Sequence, residues 1–401
     1  MEVRQVHERW LILAVLTFSR FAIGFQFQSV SAVSDLLVRN FQINYTVLGS
    51  LIGLYLLPGV VVTLPGGMLA RRYGDKPVLC VSLAGMVAGG LLMAVAADLP
   101  PLLAGRVLSG ASAVLLNVVV TKMVTDWFEG HNVVTALGIM VASWPLGIAL
   151  ALVALPVFAN TFGVAASMYL PAALSATALL LVAVFYRPPN STHHEDARHL
   201  QSGLTYQEFL LSILAGLVWT FYNTGFLIVP AFGPSFLVAE GFSTETANAV
   251  VSTASWAIIP ALPFGAWMAE KIGRPTATML ICFLSSACAI AAVTSVGASV
   301  ALFAIVGLTF APPGGLIMAL PGESARRQHR AMAMGIYYTC YYAGNGALPA
   351  LAGYARDISG SAATPLWFAV AMVVLAGASL LMFEVARSHF NRTAPDLLDH
   401  A

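Results

Sequence analysis

Arg20 stands about ten residues into an apolar run that begins near position 10. At about 1.5 Å per residue, this puts a guanidinium close to the middle of a helix crossing about 30 Å of hydrocarbon. Arginine keeps its charge in practice, and its planar fork suits a carboxylate or similar oxyanion through two parallel hydrogen bonds. Charge at that depth is costly, so the group is either satisfied by backbone carbonyls or serves to bind an anion. The second is our expectation. Gly24, Phe27, Gln28 and Ser31 follow at helical spacing and give Arg20 a polar stripe on one face.

A second intramembrane cation, Arg106, heads a track of Gly110, Ala113 and Asn117 on one helical face. For Arg106 a structural or gating role and substrate contact are both open. Lys122 lies near the end of the same run and is expected to snorkel to the headgroups. Two aromatic and amide clusters complete the chemistry: Trp219, Tyr222 and Asn223 in one segment, and Tyr338, Tyr341 and Asn345 on one face of another. Tyrosine hydroxyls and amides donate to anion oxygens, although tyrosines near a span's end also act as interfacial anchors. The expected binding set is Arg20, Gln28, Trp219, Tyr222, Asn223, Tyr341 and Asn345, with Arg106 and Asn117 in second rank.

Other chemistries are missing. All eight histidines fall in hydrophilic segments or tails, and Asp35, Asp126 and Glu384 lie only at the ends of apolar runs. No acid or histidine is thus left in mid-membrane to relay a proton, and fixed positive charge suits an anion over a cation. Cys80, Cys282, Cys288 and Cys340 sit singly in apolar runs and read as small hydrophobes. No nucleophile–base pair or metal-ligand spacing occurs, so no catalytic residue, metal or cofactor is expected.

What must position these groups follows from composition. The 401 residues are 59% hydrophobic and 9% charged, against about 25% charged in soluble domains. The solvent of most of this chain is lipid. A net charge of +1 excludes a nucleic-acid binder, which needs a concentrated basic patch. Twelve apolar helices are predicted near 10–35, 46–70, 77–97, 100–125, 133–158, 164–186, 209–237, 248–269, 277–297, 299–320, 333–353 and 365–386. Pro58, Pro260 and Pro313 are expected to bend theirs. The polar stretch 187–208, with His193, His194 and His199, reads as a linker between an N-terminal six-helix bundle, 1–186, and a C-terminal one, 209–401. Fourteen basic residues fall on one side of these spans, while the opposite loops hold only Arg39 and Arg356. By the positive-inside rule both termini are cytoplasmic.

The halves also resemble each other. Gly67-Met-Leu-Ala-Arg71-Arg72-Tyr-Gly74-Asp75-Lys76 after the second span is matched by Ala266-Trp-Met-Ala-Glu270-Lys271-Ile-Gly273-Arg274 after the eighth. Short, basic, glycine-containing segments of this kind suit tight hairpins between closely approaching helices. They are similar to the G-x-x-x-D-R-x-G-R-R/K signature of the major facilitator superfamily, which the chain resembles over essentially its full length. The first copy has Arg71 where the signature has an acid, which puts its latch between bundles in doubt unless Asp75 substitutes; the second keeps Glu270. Gly67, Arg71, Arg72, Gly74, Asp75, Lys76, Glu270, Lys271, Gly273 and Arg274 are thus the expected gating residues.

The resemblance implies an all-α membrane protein of two pseudo-symmetric six-helix bundles that rock about a central site. Arg20 with Arg106-x-x-x-Gly110 resembles organic-anion members. The anion:cation symporters have an acid where this chain has Ser19 and another where it has Ala113, so anion binding carries over better than proton coupling. The run from Asn117 to Phe128 and the Gly335-Ile-Tyr-Tyr-Thr stretch resemble the cyanate/nitroimidazole transporters. Nitrate porters and oxalate/formate exchangers fit less well, since span 8 has no arginine and span 11 no lysine. The expectation is a monomeric transporter of a small anion in the lipid bilayer of a bacterial inner membrane. An exporter of neutral amphiphiles, with Arg20 structural, and a non-transporting sensor are the alternatives.

Overall fold

Hydrocarbon offers backbone groups no partner, so a chain of this composition folds as helix almost throughout, and the described residues contain no strand. The computed structural model describes residues 2–130, 132–188, 204–297 and 299–393, without the side chains of 2–7, 64, 266, 269–270, 327 and 391–393. Most of the expected linker, including His193, His194 and His199, therefore lies outside the described residues.

The first half runs α1 (Glu2–Ala32), α2 (Ser34–Phe41), α3 (Tyr45–Gly53), α4 (Gly59–Tyr73), α5 (Asp75–Ala94), α6 (Leu99–Trp127), α7 (Val133–Phe162) and α8 (Val164–Phe185). The second runs α9 (Tyr206–Ala239), α10 (Thr244–Ile272), α11 (Pro275–Ser295), α12 (Val300–Phe310), α13 (Pro313–Ser324), α14 (Arg330–Ser359) and α15 (Thr364–Thr393). Among the described residues, ten stretches are long and apolar enough to cross a membrane. The expected second and eleventh spans are the exceptions. The second is split into α3 and α4, and α14 is diluted by five tyrosines and Asn345.

Two breaks matter for the interior. Ahead of Pro58 the chain tightens into bonds three residues apart: Tyr55 N–H turns to the Ile52 carbonyl and Leu56 N–H to Gly53. The Leu51 carbonyl is thereby freed. Pro312 and Pro313 do the same in the second half, where Gly314 N–H turns to Ala311 and frees the Phe310 carbonyl. Pro260, by contrast, sits inside a continuous α10.

Within the first half α5 packs on α6 and α8, and α1 on α7 and α8; within the second α15 packs on α9 and α11, and α10 on α12. The halves meet along two main seams, α3 against α14 and α7 against α10. Among the described residues, the hydrogen bonds across these two seams lie toward the end remote from where α1 starts and α15 ends. Asp357 on α14 accepts from the N–H groups of Tyr45 at 3.0 Å and Thr46 at 2.8 Å, and from the Thr46 hydroxyl at 2.6 Å. A carboxylate thus caps the N-terminus of α3 from the other bundle, where the helix dipole favours negative charge. Beside it Arg356 stacks on the Tyr45 ring at 3.5 Å, and Asn160 of α7 donates to Glu245 of α10 at 3.0 Å. The molecule is closed at this end.

Replacing Asp357 with Asn removes the charge and puts an NH2 donor where one of the two accepting oxygens was. A loss of about 1–3 kcal/mol in the closed state is expected. Spin labels at Gln42 and Ile358 should then report a longer inter-bundle distance; an unchanged distribution would remove Asp357 from the closure.

At the other end, α9 starts at Tyr206, so Glu208 belongs to a helix and not to the linker. It forms a capping box with Thr205 and also binds Arg326 and His329. His329, expected in a hydrophilic loop, is buried in this cluster.

Candidate functional site

Arg20 is half-buried, and its Nε is enclosed with no hydrogen-bond partner. Among the described residues no carboxylate pairs with it. Its electrostatic neighbours are Tyr338, Tyr341 and Tyr342 of α14, so cation and tyrosines meet across the seam between bundles. The Tyr341 ring lies 4.9 Å from Tyr342 and 5.9 Å from Trp219 of α9, whose indole in turn stacks on Tyr337 and Tyr222. Trp219 Nε1 is also buried without a partner. Asn117 of α6 faces Tyr342 and keeps a buried, unpartnered Oδ1.

Arg20 Nε–H and indole N–H only donate, and both flank Tyr341. Buried donors nearly always find an acceptor, so two facing the same ring with none in the protein define an acceptor-seeking site. Arg20, Trp219, Tyr341 and Asn117 are the expected residues that the fold brings together. Tyr338 and Tyr342 complete the group; their signal was the Tyr-Tyr-x-x-Tyr-Tyr run, which places three hydroxyl-bearing faces within one turn.

The remaining candidates have other duties. Arg106 is fully buried and its fork is consumed by carbonyls: Nε to Leu51 at 2.8 Å, Nη1 to Gln26 at 2.9 Å and Nη2 to Phe27 at 2.6 Å. Tyr55 and Phe27 cover its guanidinium at 4.5 and 5.6 Å. The Leu51 carbonyl is the one freed by the break in the second span. Gly110 lets α6 approach that break, since a Cβ there would collide with the Tyr55 carbonyl. Substrate contact by Arg106 is therefore corrected to a structural role.

Tyr222 plays the corresponding part in the second half, its hydroxyl donating to the freed Phe310 carbonyl. Gln28 spans the seam, its amide donating to the Pro230 carbonyl at 2.8 Å. Asn345 is buried between Thr224 and the Tyr341 carbonyl, and Asn223 donates to Trp219 O at 2.9 Å. These four all make hydrogen bonds between or within helices, while Gln28 keeps a buried Oε1 without a partner.

Arg106→Met should therefore destabilise the fold by about 2–5 kcal/mol through one orphaned carbonyl and lost cation–π contact. Arg106→Lys should do little better, because an ammonium cannot reproduce the fork. A melting temperature within a degree of wild type for either variant would contradict this role.

The turns behave differently from expectation. Gly74 and Gly273 take φ of +88° and +64°, where other residues are strained, so each is needed by its hairpin. Gly67, expected at a close helix approach, has open space around it. Asp75 binds Lys122 at 2.6 Å, and Lys122 also binds Asp126 at 2.9 Å. Lys122 thus bridges acids of its own bundle instead of snorkelling, and Asp75 does not latch the halves here. Lys76 donates to the Ala183 and Tyr186 carbonyls at the end of α8, each at 2.9 Å. Arg72 lies over Tyr73 and Lys271 over Trp267, while Arg71 is exposed and Arg274 precedes α11. The Glu270 side chain lies outside the described residues.

Two helical halves in contact at one end, with a cation and an aromatic cluster on the seam between them, form the architecture of a two-bundle membrane protein. The comparisons agree. Residues 16–243 and 209–397 match the Major Facilitator Superfamily, and the chain belongs to that family. It is 29% identical over 146 residues to the inner membrane transport protein YajR of Escherichia coli, covering 36% of this chain and 32% of that one. The matched stretch thus spans about a third of that relative's length. The inward-open xylose transporter XylE of E. coli superposes with a TM-score of 0.76 at 14% identity, over 94% of this chain and 96% of that one. A bacterial homologue of the human lysosomal transporter Spinster, inward-facing and unoccupied, gives 0.75 at 15% identity over 96% and 98%. At such identities the likeness is one of fold alone.

Proposed function

We propose that the protein carries a small organic or cyanate-like anion across a bacterial inner membrane as a monomer, with both termini cytoplasmic. In that orientation the closed end faces outward, and the conformation described is open to the cytoplasm. Arg20 pairs with the anion, Tyr341 and Trp219 donate to its remaining oxygens, and Tyr338, Tyr342 and Asn117 shape the wall. The observation that carries this reading is the buried Arg20 Nε with no acceptor and no carboxylate partner. A positive group held in that state favours whatever brings it an oxyanion.

Transport of neutral amphiphiles leaves the Arg20 charge without a use. The experiment that separates the two is a thermal-shift panel of small carboxylates, cyanate and neutral solutes on wild type, Arg20→Lys and Arg20→Ala. Anions should stabilise wild type alone or most; equal stabilisation of all three proteins would refute the anion reading, and flux in liposomes would exclude a sensor.

A further inference from the structure

A cavity of about 930 Å³ opens between the halves on the side where α1 begins, and it lies apart from the tyrosines of α14. Its walls are Leu13 and Thr17 of α1, Ala142 and Leu146 of α7, and Trp256 and Ile259 of α10. The lining is apolar almost throughout. Its two hydroxyl-bearing residues are Thr17, whose hydroxyl is buried without a partner, and Ser143, whose hydroxyl donates to the Met140 carbonyl at 2.6 Å. Leu13, Thr17 and Arg20 follow each other at intervals of four and three residues, so they form one line on α1. Arg20 does not itself line the cavity; it stands one turn beyond Thr17 and next in sequence to Phe21, which does. Trp256 is 41% exposed although its position is in mid-helix.

We propose that this cavity holds the hydrocarbon tail of an amphiphilic anion whose head is bound at Arg20. The inference rests on the anion reading and narrows its substrate to a carboxylate-type head on a flexible apolar chain. The volume falls within the range of about 300–1,000 Å³ usual for small-molecule sites. A small inorganic anion would leave this room unused. A neutral apolar molecule would use the walls but not the Arg20 guanidinium one turn beyond them. The cavity is bounded by both halves, so rocking them changes its shape and couples the tail to alternating access.

The test uses the full chain in nanodiscs, with butyrate, hexanoate and octanoate and the alcohols of equal length as probes. Each burial of a methylene is worth about fourfold in affinity, so octanoate should bind wild type about a hundredfold or more tighter than butyrate. The octanoate-to-butyrate ratio should fall in Ala142→Trp, whose indole takes up part of the space a chain would occupy. Arg20→Gln should weaken every acid and bring acids level with alcohols.

A ratio in Ala142→Trp equal to that of wild type would overturn the proposal, as would alcohols that rise as steeply and bind as tightly as the acids. Should Ala142→Trp fail to fold, a doxyl-labelled fatty acid keeps the question decidable. It should quench Trp256 fluorescence in wild type, with the quenched component lost in Trp256→Phe, and the same signal in both proteins would overturn the proposal. Butyrate binding that ignores Arg20 would defeat the anion reading itself, whereas Arg20-dependent binding without a chain-length slope would defeat only the tail site.

Discussion

Arg20→Gln is expected to reduce anion transport to background in liposomes reconstituted with the purified protein. Glutamine keeps a donor and most of the side chain's length but removes the charge and the fork. Truncating one partner of a buried, hydrogen-bonded charge pair costs about 2–5 kcal/mol, or roughly 30-fold to several-thousand-fold in kcat/KM. Arg20→Lys keeps the charge as a point and should recover part of that loss, since a lysine cannot bind both oxygens of a carboxylate in one plane. Tyr341→Phe removes one neutral hydrogen bond, worth about 0.5–1.5 kcal/mol, and should cost only a few-fold. The ordering Gln below Lys below Phe is specific to an anion held by charge. Wild-type flux in Arg20→Gln, with large losses on aromatic substitution, would instead assign transport to neutral amphiphiles.

Much of this arrangement is legible in the chain. The membrane solvent, the two halves and the hairpin glycines Gly74 and Gly273 follow from apolar run length, charge placement and one repeated segment. Arg20 is legible because a charge in mid-span without a nearby acid has few explanations. Arg106 looked alike and proved different. What separates them is the break at Pro58, which frees the Leu51 carbonyl 55 positions away in sequence; the spacing around Arg106 carries no trace of it. The same reason hides the duty of Tyr222, whose partner is freed by Pro312 and Pro313 in another helix. Periodicity reports which residues share a face, but not which carbonyl of a neighbouring helix has lost its own N–H.

Asp75 and Lys122 were misread for a related reason. Lys122 was assigned to the headgroups from its position along one helix, and Asp75 was offered as a substitute latch from its place in the segment that resembles the family signature. The tight hairpin at Gly74 and the packing of α5 on α6 instead set them 2.6 Å apart within one bundle. A local ion pair satisfies both at less entropy cost than a latch between moving bodies.

Closure at the far end rests on glycine more than on charge, and this gives the second large expected effect. Along the α3–α14 seam a Cβ on Gly49 would collide with the Pro349 carbonyl, one on Gly53 with Gly346 O, and one on Gly353 with Tyr45 O. These backbone contacts have no flexible side chain to yield, so any larger residue forces the helices apart. Gly353→Leu should thus prevent closure at this end and hold the protein with that end open. The fold of each bundle should survive, because Gly353 meets the opposite half and not its own.

In such a protein, net flux should fall by at least about 100-fold, since a conformation displaced by 3 kcal/mol or more is populated at about 1% or less. Anion binding at Arg20 should persist, reached from the far side alone. The measurement is paired: spin labels at Gln42 and Ile358 should separate, and thermal stabilisation by anion should remain. Gly315, which has open space around it, serves as a control for adding a side chain to a helix glycine. If Gly353→Leu transports as well as Gly315→Ala, the seam does not need its close approach. The alternation of the two halves would then be governed by the Asp357 cap and not by the helix backbones.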